Sequence, residues 1–276
     1  MKFVDRLLRA VWHSDDLKSQ LFAFLGSDAP EFRMLGGRRL SREQARELLQ
    51  ELIPATIEVR GVCRRSVAAV AAAPHVSFDN WSEYFCNRIA RRTRIGWVVA
   101  KNFRDQHSQT IPIFIGRHIH VNRPTESDGP GQSERETERA RDVHERYLSA
   151  LAEASGRTVL PFDLLIELHS HHRTPDLEIA TAGLTVNLAR ELAEVYERRR
   201  AKRPALPEFK IAPLHPLRLT ADGARRGGSI RTEVARVALH VEVPREARQS
   251  DDARRAMCAA LILVSETLIR RLSSAS

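Results

Sequence analysis

The sequence has 276 residues, of which 42% are hydrophobic and 29% are charged. This balance excludes a disordered chain and allows one large domain with a full hydrophobic core. Lys and Arg exceed Asp and Glu by 44 − 35 = 9, so an anionic partner has to be considered. The basic residues are scattered and lack the aromatic or glycine-rich patterns of nucleic-acid-binding modules, so nucleic acid is not favoured as a partner.

Cysteine usage and apolar runs indicate the compartment. Cys63, Cys86 and Cys258 are odd in number and have no CxxC spacing, which predicts free thiols in a reducing environment and no cysteine metal site. Charges interrupt the N-terminus before an apolar stretch reaches signal-peptide length, and no apolar run reaches the roughly 18 residues of a membrane span. We therefore expect a cytoplasmic protein without a membrane partner.

The first part of the chain predicts helices. Apolar residues recur at three- and four-residue spacing between Phe3 and Val11 and again between Ala45 and Leu52, as on one face of a helix. Ser41 followed three residues later by Gln44 has the form of a capping box, which predicts a helix start there. We expect a helical extension over residues 1–60, packed on a main domain over residues 61–276.

In the main domain, apolar strand-like runs alternate with helical segments. We predict strands at 67–73, 95–100, 164–168, 209–214 and 237–243, a hairpin at 111–121, a loop at 125–133, and helices at 80–92, 134–154, 183–200 and 251–272. This alternation predicts an α/β fold, with a mainly parallel or mixed central sheet and helices on both faces. Ligands bind beyond the carboxyl ends of such strands.

Two polar segments follow predicted strand ends and carry the residue types of a metal site. His75 and Asp79 are four residues apart, so one turn brings both side chains to one side. In the second segment, His169, His171 and His172 follow an apolar strand, where burial without a metal or hydrogen-bond partners is costly. If that strand continues, residues 167, 169 and 171 share one face. Imidazole and carboxylate are ordinary zinc ligands, and either histidine of that face can complete the set.

Glu242 lies within an otherwise apolar strand that we predict to be central. A carboxylate there is either paired with a buried arginine or held beside the metal as a general base that takes a proton from the attacking water. Asn122 and Arg123 follow another predicted strand, and a guanidinium with a neighbouring amide suits a substrate carboxylate. Arg104, Arg218 and Arg245 compete for the same role.

Five short blocks, in this order, resemble the N-formylglutamate amidohydrolase family, a branch of the zinc carboxypeptidase-like fold. The blocks are residues 74–75, 121–124, 166–170, 227–230 and 239–245, and together they span residues 74 to about 248. The resemblance implies one zinc ion held by His75, a nearby acidic residue for which Asp79 is the candidate, and His169, with His171 as the fallback. It also implies that Glu242 acts as general base and acid, and that Arg123 with Asn122 grips a substrate carboxylate.

We therefore expect a zinc-dependent amidohydrolase that cleaves the C–N bond of an N-acyl or N-formyl amino acid, or of a related small molecule bearing a carboxylate. A carboxypeptidase-type peptidase on the same fold is the nearest alternative, because it needs the same zinc and carboxylate clamp. A non-catalytic protein that binds an anionic partner through its arginine excess is the alternative from a different class.

Overall fold

A computed structural model of the chain describes residues 20–21, 23–34, 37, 39–45, 56–76, 79–101, 118–127 and 133–274. The strands are β1 (Glu31–Arg33), β2 (Arg39–Ser41), β3 (Thr56–Gly61), β4 (Ala69–Ala73), β5 (Gly96–Lys101), β6 (His118–Ile119), β7 (Thr125–Ser127), β8 (Glu134–Glu136), β9 (Phe162–Ser170), β10 (Leu177–Ala182), β11 (Phe209–Ile211) and β12 (Ala235–Val243). The helices are α1 (Ser82–Thr93), α2 (Glu138–Ser155), α3 (Val186–Arg200), α4 (Asp222–Gly227) and α5 (Asp251–Ser274). Residues 20–21, 23–25 and 42–45 are also helical, and Glu246–Arg248 forms a 3₁₀ helix.

The centre of the fold is a seven-stranded sheet with the order β11-β10-β12-β9-β4-β5-β3. Neighbouring strands are parallel except for two pairs, β10 with β12 and β5 with β3. The three strands β12, β9 and β4 run side by side in the same direction, so their carboxyl ends meet at one edge. The predicted α/β fold with a mixed, mainly parallel sheet is confirmed.

Each face of the sheet has its own hydrophobic core. On one face, helices α1, α3 and α5 cover the alternate residues of the strands, such as Leu168 of β9 and Val241 of β12. On the other face, α2 covers Val70, Leu165 and Ala238. Because side chains alternate along a strand, the residues directly before and after Leu168 and Val241 point to the α2 side of the sheet. Helices on both faces were predicted and are confirmed.

The region before residue 61 differs from the all-helical expectation. Strands β1 and β2 form a small antiparallel pair, and β3 belongs to the central sheet through its pairing with β5. Short strands of mixed polarity give no clear period, so periodicity does not detect them. The capping box is confirmed: the backbone N–H of Ser41 donates to Oε1 of Gln44 at 3.0 Å, and the N–H of Gln44 donates to Oγ of Ser41 at 3.1 Å. The residues 1–19 and 46–55 lie outside the described part.

A second small sheet replaces the predicted loop over residues 125–133 and the first turn of the predicted helix over 134–154. Strand β7 pairs antiparallel with both β6 and β8. Helix α2 begins only after Thr137, whose hydroxyl caps it by accepting the N–H of Ala140. The prediction of a hairpin over 111–121 falls largely outside the described residues. In the part of the chain that the structure describes, no helix is both long and apolar enough to cross a bilayer.

The glycine pair Gly227-Gly228 allows two segments to approach closely. The hydrogen that Gly228 carries in place of a side chain faces the carbonyl of Asn122, and a Cβ there would lie 2.1 Å from that oxygen. The N–H of Ser229 donates to the same carbonyl at 2.9 Å. At Gly227 an added Cβ meets nothing within 4 Å. Only the second glycine is therefore required by the packing.

We expect Gly228→Ala to lower the free energy of unfolding by about 1–3 kcal/mol, because the backbone at Asn122 has to move away. Gly227→Ala is the matched control and should be neutral or slightly stabilising, since Gly227 is the last residue of α4. Urea unfolding followed by circular dichroism measures both. Equal effects of the two variants would contradict the close approach.

Candidate metal centre

The first two candidate ligands lie in the connection between β4 and α1. The N–H of Asp79 donates to the carbonyl of His75 at 2.8 Å, which closes one turn directly after the strand. This turn brings Nδ1 of His75 within 3.7 Å of Oδ2 of Asp79. The spacing of four residues thus places both side chains on one side, as the sequence predicts.

The third candidate ligand, His169, extends from the carboxyl end of β9. Its Nδ1 lies 2.9 Å from Oδ2 of Asp79, and its ring centroid lies 5.1 Å from that of His75. One ligand atom from each of the three residues lies within 4.8 Å of the others. Zinc bonds of about 2.0–2.1 Å in a tetrahedral site imply ligand atoms about 3.3 Å apart. The donor types and their separations therefore fit a zinc ion.

Charge around the three residues favours a cation. Burial raises the pKa of Asp79 despite the nearby His169. Burial lowers the pKa of His169, but its bonds to the carboxylates of Asp79 and Glu167 outweigh that effect and raise the pKa to about 10. Two carboxylates therefore face this imidazole, and positive charge between them is stabilised.

Glu167 holds the imidazole of His169 from behind. Its side chain has no exposed surface. Oε2 accepts from Nε2 of His169 at 3.2 Å and from Nδ2 of Asn122 at 3.1 Å, while Oε1 accepts from the hydroxyls of Tyr147 at 2.9 Å and Ser229 at 2.5 Å. With Nε2 donating to Glu167, Nδ1 is the nitrogen left to bind a metal. The amide nitrogen of Asn122 is engaged inside the protein, and its expected contact with substrate stays a prediction.

His240 belongs to this cluster and was missed by the sequence analysis. Strand register places it beside Glu167 and places Glu242 beside His169. The imidazoles of His240 and His169 stack with centroids 4.0 Å apart, and Nε2 of His240 lies 3.1 Å from Oε1 of Glu242. The parity of β12 is the signal that finds it, because residues 240 and 242 share a face.

Glu167, His169 and His240 form a second group of three with the spacing of metal ligands. All three are buried, whereas His75 and Asp79 of the first group are partly exposed. A catalytic metal needs a position open to water. The first group is therefore the better candidate for a catalytic centre.

Glu242 is ionised at the mouth of the cluster. Its side chain is 15% exposed. Burial raises the pKa of this carboxyl, but the hydrogen bond from His240 and the positive charge of the neighbouring imidazoles lower it to about 2. The residue is central in the sheet, as predicted, and can accept a proton.

The other histidines of the strand-end segment point elsewhere. Nε2 of His171 lies 3.2 Å from the carbonyl of Asp176, and its Nδ1 accepts the N–H of Arg173. His172 is exposed. Neither belongs to a ligand group among the described residues, so the fallback role of His171 as a ligand is not favoured by the geometry.

The predicted substrate-binding arginines have different surroundings. Arg123 forms an ion pair with Glu134, with Nη2 2.5 Å from Oε1. Arg245 is exposed in the turn after β12. Arg104 lies outside the described residues. The predicted roles of these three arginines stay predictions. Among the described residues of this set, only Arg123 is linked to the cluster, through its contact with His120.

Arg248 is a buried residue that the sequence analysis also missed. Its guanidinium donates from Nε to the carbonyl of Pro244 at 3.2 Å, from Nη1 to that of Asn80 at 3.2 Å and from Nη2 to that of His171 at 2.7 Å. Each of these carbonyls comes one or two residues after a member of the site. One side chain thus fastens the connection between β4 and α1 to the ends of β9 and β12.

Comparison with known proteins finds no matching family model and no matching curated protein. Among solved structures, the chain is similar to a bacteriophage poly-gamma-glutamate hydrolase, with a TM-score of 0.44 and 10% identity over 79% of this chain and 90% of that one. It is similar to an N-formylglutamate amidohydrolase from Ralstonia eutropha JMP134, with a TM-score of 0.42 and 11% identity over 81% and 100%. It is also similar to a metallo-carboxypeptidase from Burkholderia cenocepacia, with a TM-score of 0.41 and 11% identity over 95% and 70%. Similarities at this level assign neither a family nor an activity to the chain.

We expect Arg248→Lys to weaken both folding and metal binding. A lysine keeps the charge, but its single nitrogen cannot reach three carbonyls in different directions. Leaving buried carbonyls without donors should lower the free energy of unfolding by about 2–4 kcal/mol. Loosening the three backbone segments that Arg248 joins should lower zinc affinity about 10- to 100-fold. Urea unfolding and competition with a chelator measure the two effects.

The control for this variant is Arg271→Lys, which alters an exposed ion pair with Glu191 and should change stability by less than about 0.5 kcal/mol. If folded Arg248→Lys binds zinc as tightly as the wild type, the positioning role of Arg248 is wrong.

Zinc should raise the melting temperature of the metal-free protein, because it binds only the folded state. Free zinc at 100 times its Kd adds about 2.7 kcal/mol of stability. In Asp79→Asn most of this increase should disappear. Asp163→Asn is the matched control, since Asp163 is similarly buried but accepts the N–H of Ala68 at the amino end of β9. An undiminished increase in Asp79→Asn would remove that residue from the ligand set.

Proposed function

We propose that the protein is a zinc-dependent hydrolase that cleaves the amide C–N bond of an N-acyl or N-formyl amino acid, or of a related small molecule with a carboxylate. The observation that carries this proposal is the position of Glu242 beside His169 in neighbouring parallel strands. A proton acceptor thereby lies next to a set of two imidazoles and a carboxylate that fits zinc.

Bound zinc would supply a Lewis acid and would lower the pKa of water to near 7. His75, Asp79 and His169 are the residues that would hold it. Glu242 is ionised and partly exposed, so it takes a proton from the attacking water and returns it to the leaving amine. His240 keeps the carboxylate of Glu242 oriented through its hydrogen bond at 3.1 Å.

Recognition of a carboxylate is assigned to Arg123. His120 lies between His75 and the guanidinium of Arg123. The ring centroids of His120 and His75 are 6.1 Å apart, and Nε2 of His120 is 3.2 Å from Nη2 of Arg123. A small substrate can therefore place its carboxylate at Arg123 and its amide near the metal ligands. Guanidinium forks bind carboxylates in a bidentate manner.

We expect Glu242→Gln to lower kcat by a factor of about 10² to 10⁴, because the amide has the same shape but cannot accept a proton. Turnover of formyl-, acetyl- and succinyl-amino acids by the zinc-loaded protein is the measurement. Zinc binding, read from the increase in melting temperature, should persist because Glu242 is not in the ligand set.

The matched control is Glu246→Gln, which changes an exposed glutamate in the 3₁₀ helix after β12 and should keep wild-type activity. Retained turnover in Glu242→Gln would contradict the mechanism. Faster turnover of short peptides than of acyl-amino acids would favour the peptidase alternative. Absence of stoichiometric zinc together with salt-dependent anion binding would favour the binding protein.

A further inference from the structure

Four polar groups converge on the carboxylate of Glu134, which extends from β8. Arg123 donates from Nε to Oε2 at 2.9 Å and from Nη2 to Oε1 at 2.5 Å, in the geometry of a bidentate fork. The hydroxyl of Thr125 donates to Oε2 at 3.1 Å, and Nε2 of His120 lies 3.1 Å from Oε1. We call the three residues His120, Arg123 and Thr125 the carboxylate site.

The two sides of this ion pair are held differently. Arg123 packs closely on α4, because a Cβ added at Gly223 would lie 2.9 Å from its Cδ. Glu134 belongs to β8, a three-residue edge strand whose residues are all exposed. Its side chain is 37% exposed, against 20% for Arg123. The guanidinium is therefore the fixed member of the pair, and Glu134 is the member that can be exchanged.

The carboxylate site lies next to the candidate metal centre. The ring of His120 separates it from His75, and the centroids of these two imidazoles are 6.1 Å apart. A ligand carboxylate in place of that of Glu134 would thus be bound one imidazole away from the metal ligands. The exchange replaces one carboxylate by another, so the buried donors keep an acceptor throughout.

We propose that Glu134 is an internal competitor at the carboxylate site, to which the proposed function assigns the substrate carboxylate, and that it determines which ligands enter. A tethered group acts at a high effective concentration. Glu134 therefore excludes small free carboxylates, while a substrate displaces it by contacts at the metal centre as well. The identity of the ligand as substrate rests on the proposed function, but carboxylate binding itself does not.

Titration of the full-length protein with glutarate tests this inference. Glutarate offers a carboxylate but has no amide to cleave, so the result is independent of turnover. We expect Glu134→Gln to bind glutarate at least about tenfold more tightly than the wild type, because an amide is a weaker acceptor for a guanidinium than a carboxylate is. Adding Arg123→Gln should abolish the gain. The neutral ligand glutaramide should not distinguish the proteins.

Glu136→Gln is the matched control, since Glu136 lies on the same strand and forms an exposed ion pair with Arg141. It removes the same charge two residues away, so a general electrostatic effect would increase the affinity of this variant for glutarate as well.

Glu134→Asp, with a shorter reach, should give an intermediate affinity and serves if the glutamine variant does not fold. Equal affinities of the wild type and the Glu134 variants would overturn the proposal, even if the wild type hydrolyses acyl-amino acids. If the wild type hydrolyses no acyl-amino acid but Glu134→Gln still binds glutarate more tightly, only the proposed function is contradicted.

Discussion

The structure of the site depends on one buried charge, the carboxylate of Glu167. An ionised group without exposed surface is very costly unless donors surround it. Here burial raises its pKa, but hydrogen bonds and positive charge from His169 and His240 lower it well below the ordinary value. Tyr147 from α2 and the loop before β12 supply further donors. Removing this carboxylate would leave donors from several segments without an acceptor. The positions of the helix, the loops and both strands therefore depend on one another through this group.

Much of the central sheet could be predicted because its strands are short apolar runs between helices with clear periodicity. Residues 69–73 are an example, since burial on both faces of a parallel strand leaves a continuous apolar sequence. The small sheet was not predicted. Its strand Glu134–Glu136 is polar and exposed, and such a sequence resembles the first turn of a helix. Pairing with β7, rather than its own composition, makes it a strand, and pairing partners are not encoded by local periodicity.

In the candidate site, the polar residues that follow the strand ends could be predicted from the sequence. His75, Asp79 and His169 come together as predicted, because parallel strands bring their carboxyl ends to one edge. His240 was missed because it was treated as part of an apolar strand, although its parity with Glu242 determines its direction. Arg248 was missed for a different reason. Its role consists of hydrogen bonds to three backbone carbonyls, two of them distant in sequence, and arginine is too frequent in this chain for its identity to indicate such a role.

Glu167 and Arg248 divide the task of holding the site. The anion orients side chains, because it accepts from imidazole, amide and hydroxyl groups and thereby fixes their rotamers. The cation of Arg248 fixes the backbone, because its planar fork donates to one carbonyl in the connection between β4 and α1 and to two at the ends of β9 and β12. A ligand set requires both kinds of constraint, since a correct rotamer on a displaced strand end still misplaces the ligand atom. The planar fork also explains why arginine suits this position, since lysine presents its donors from a single point.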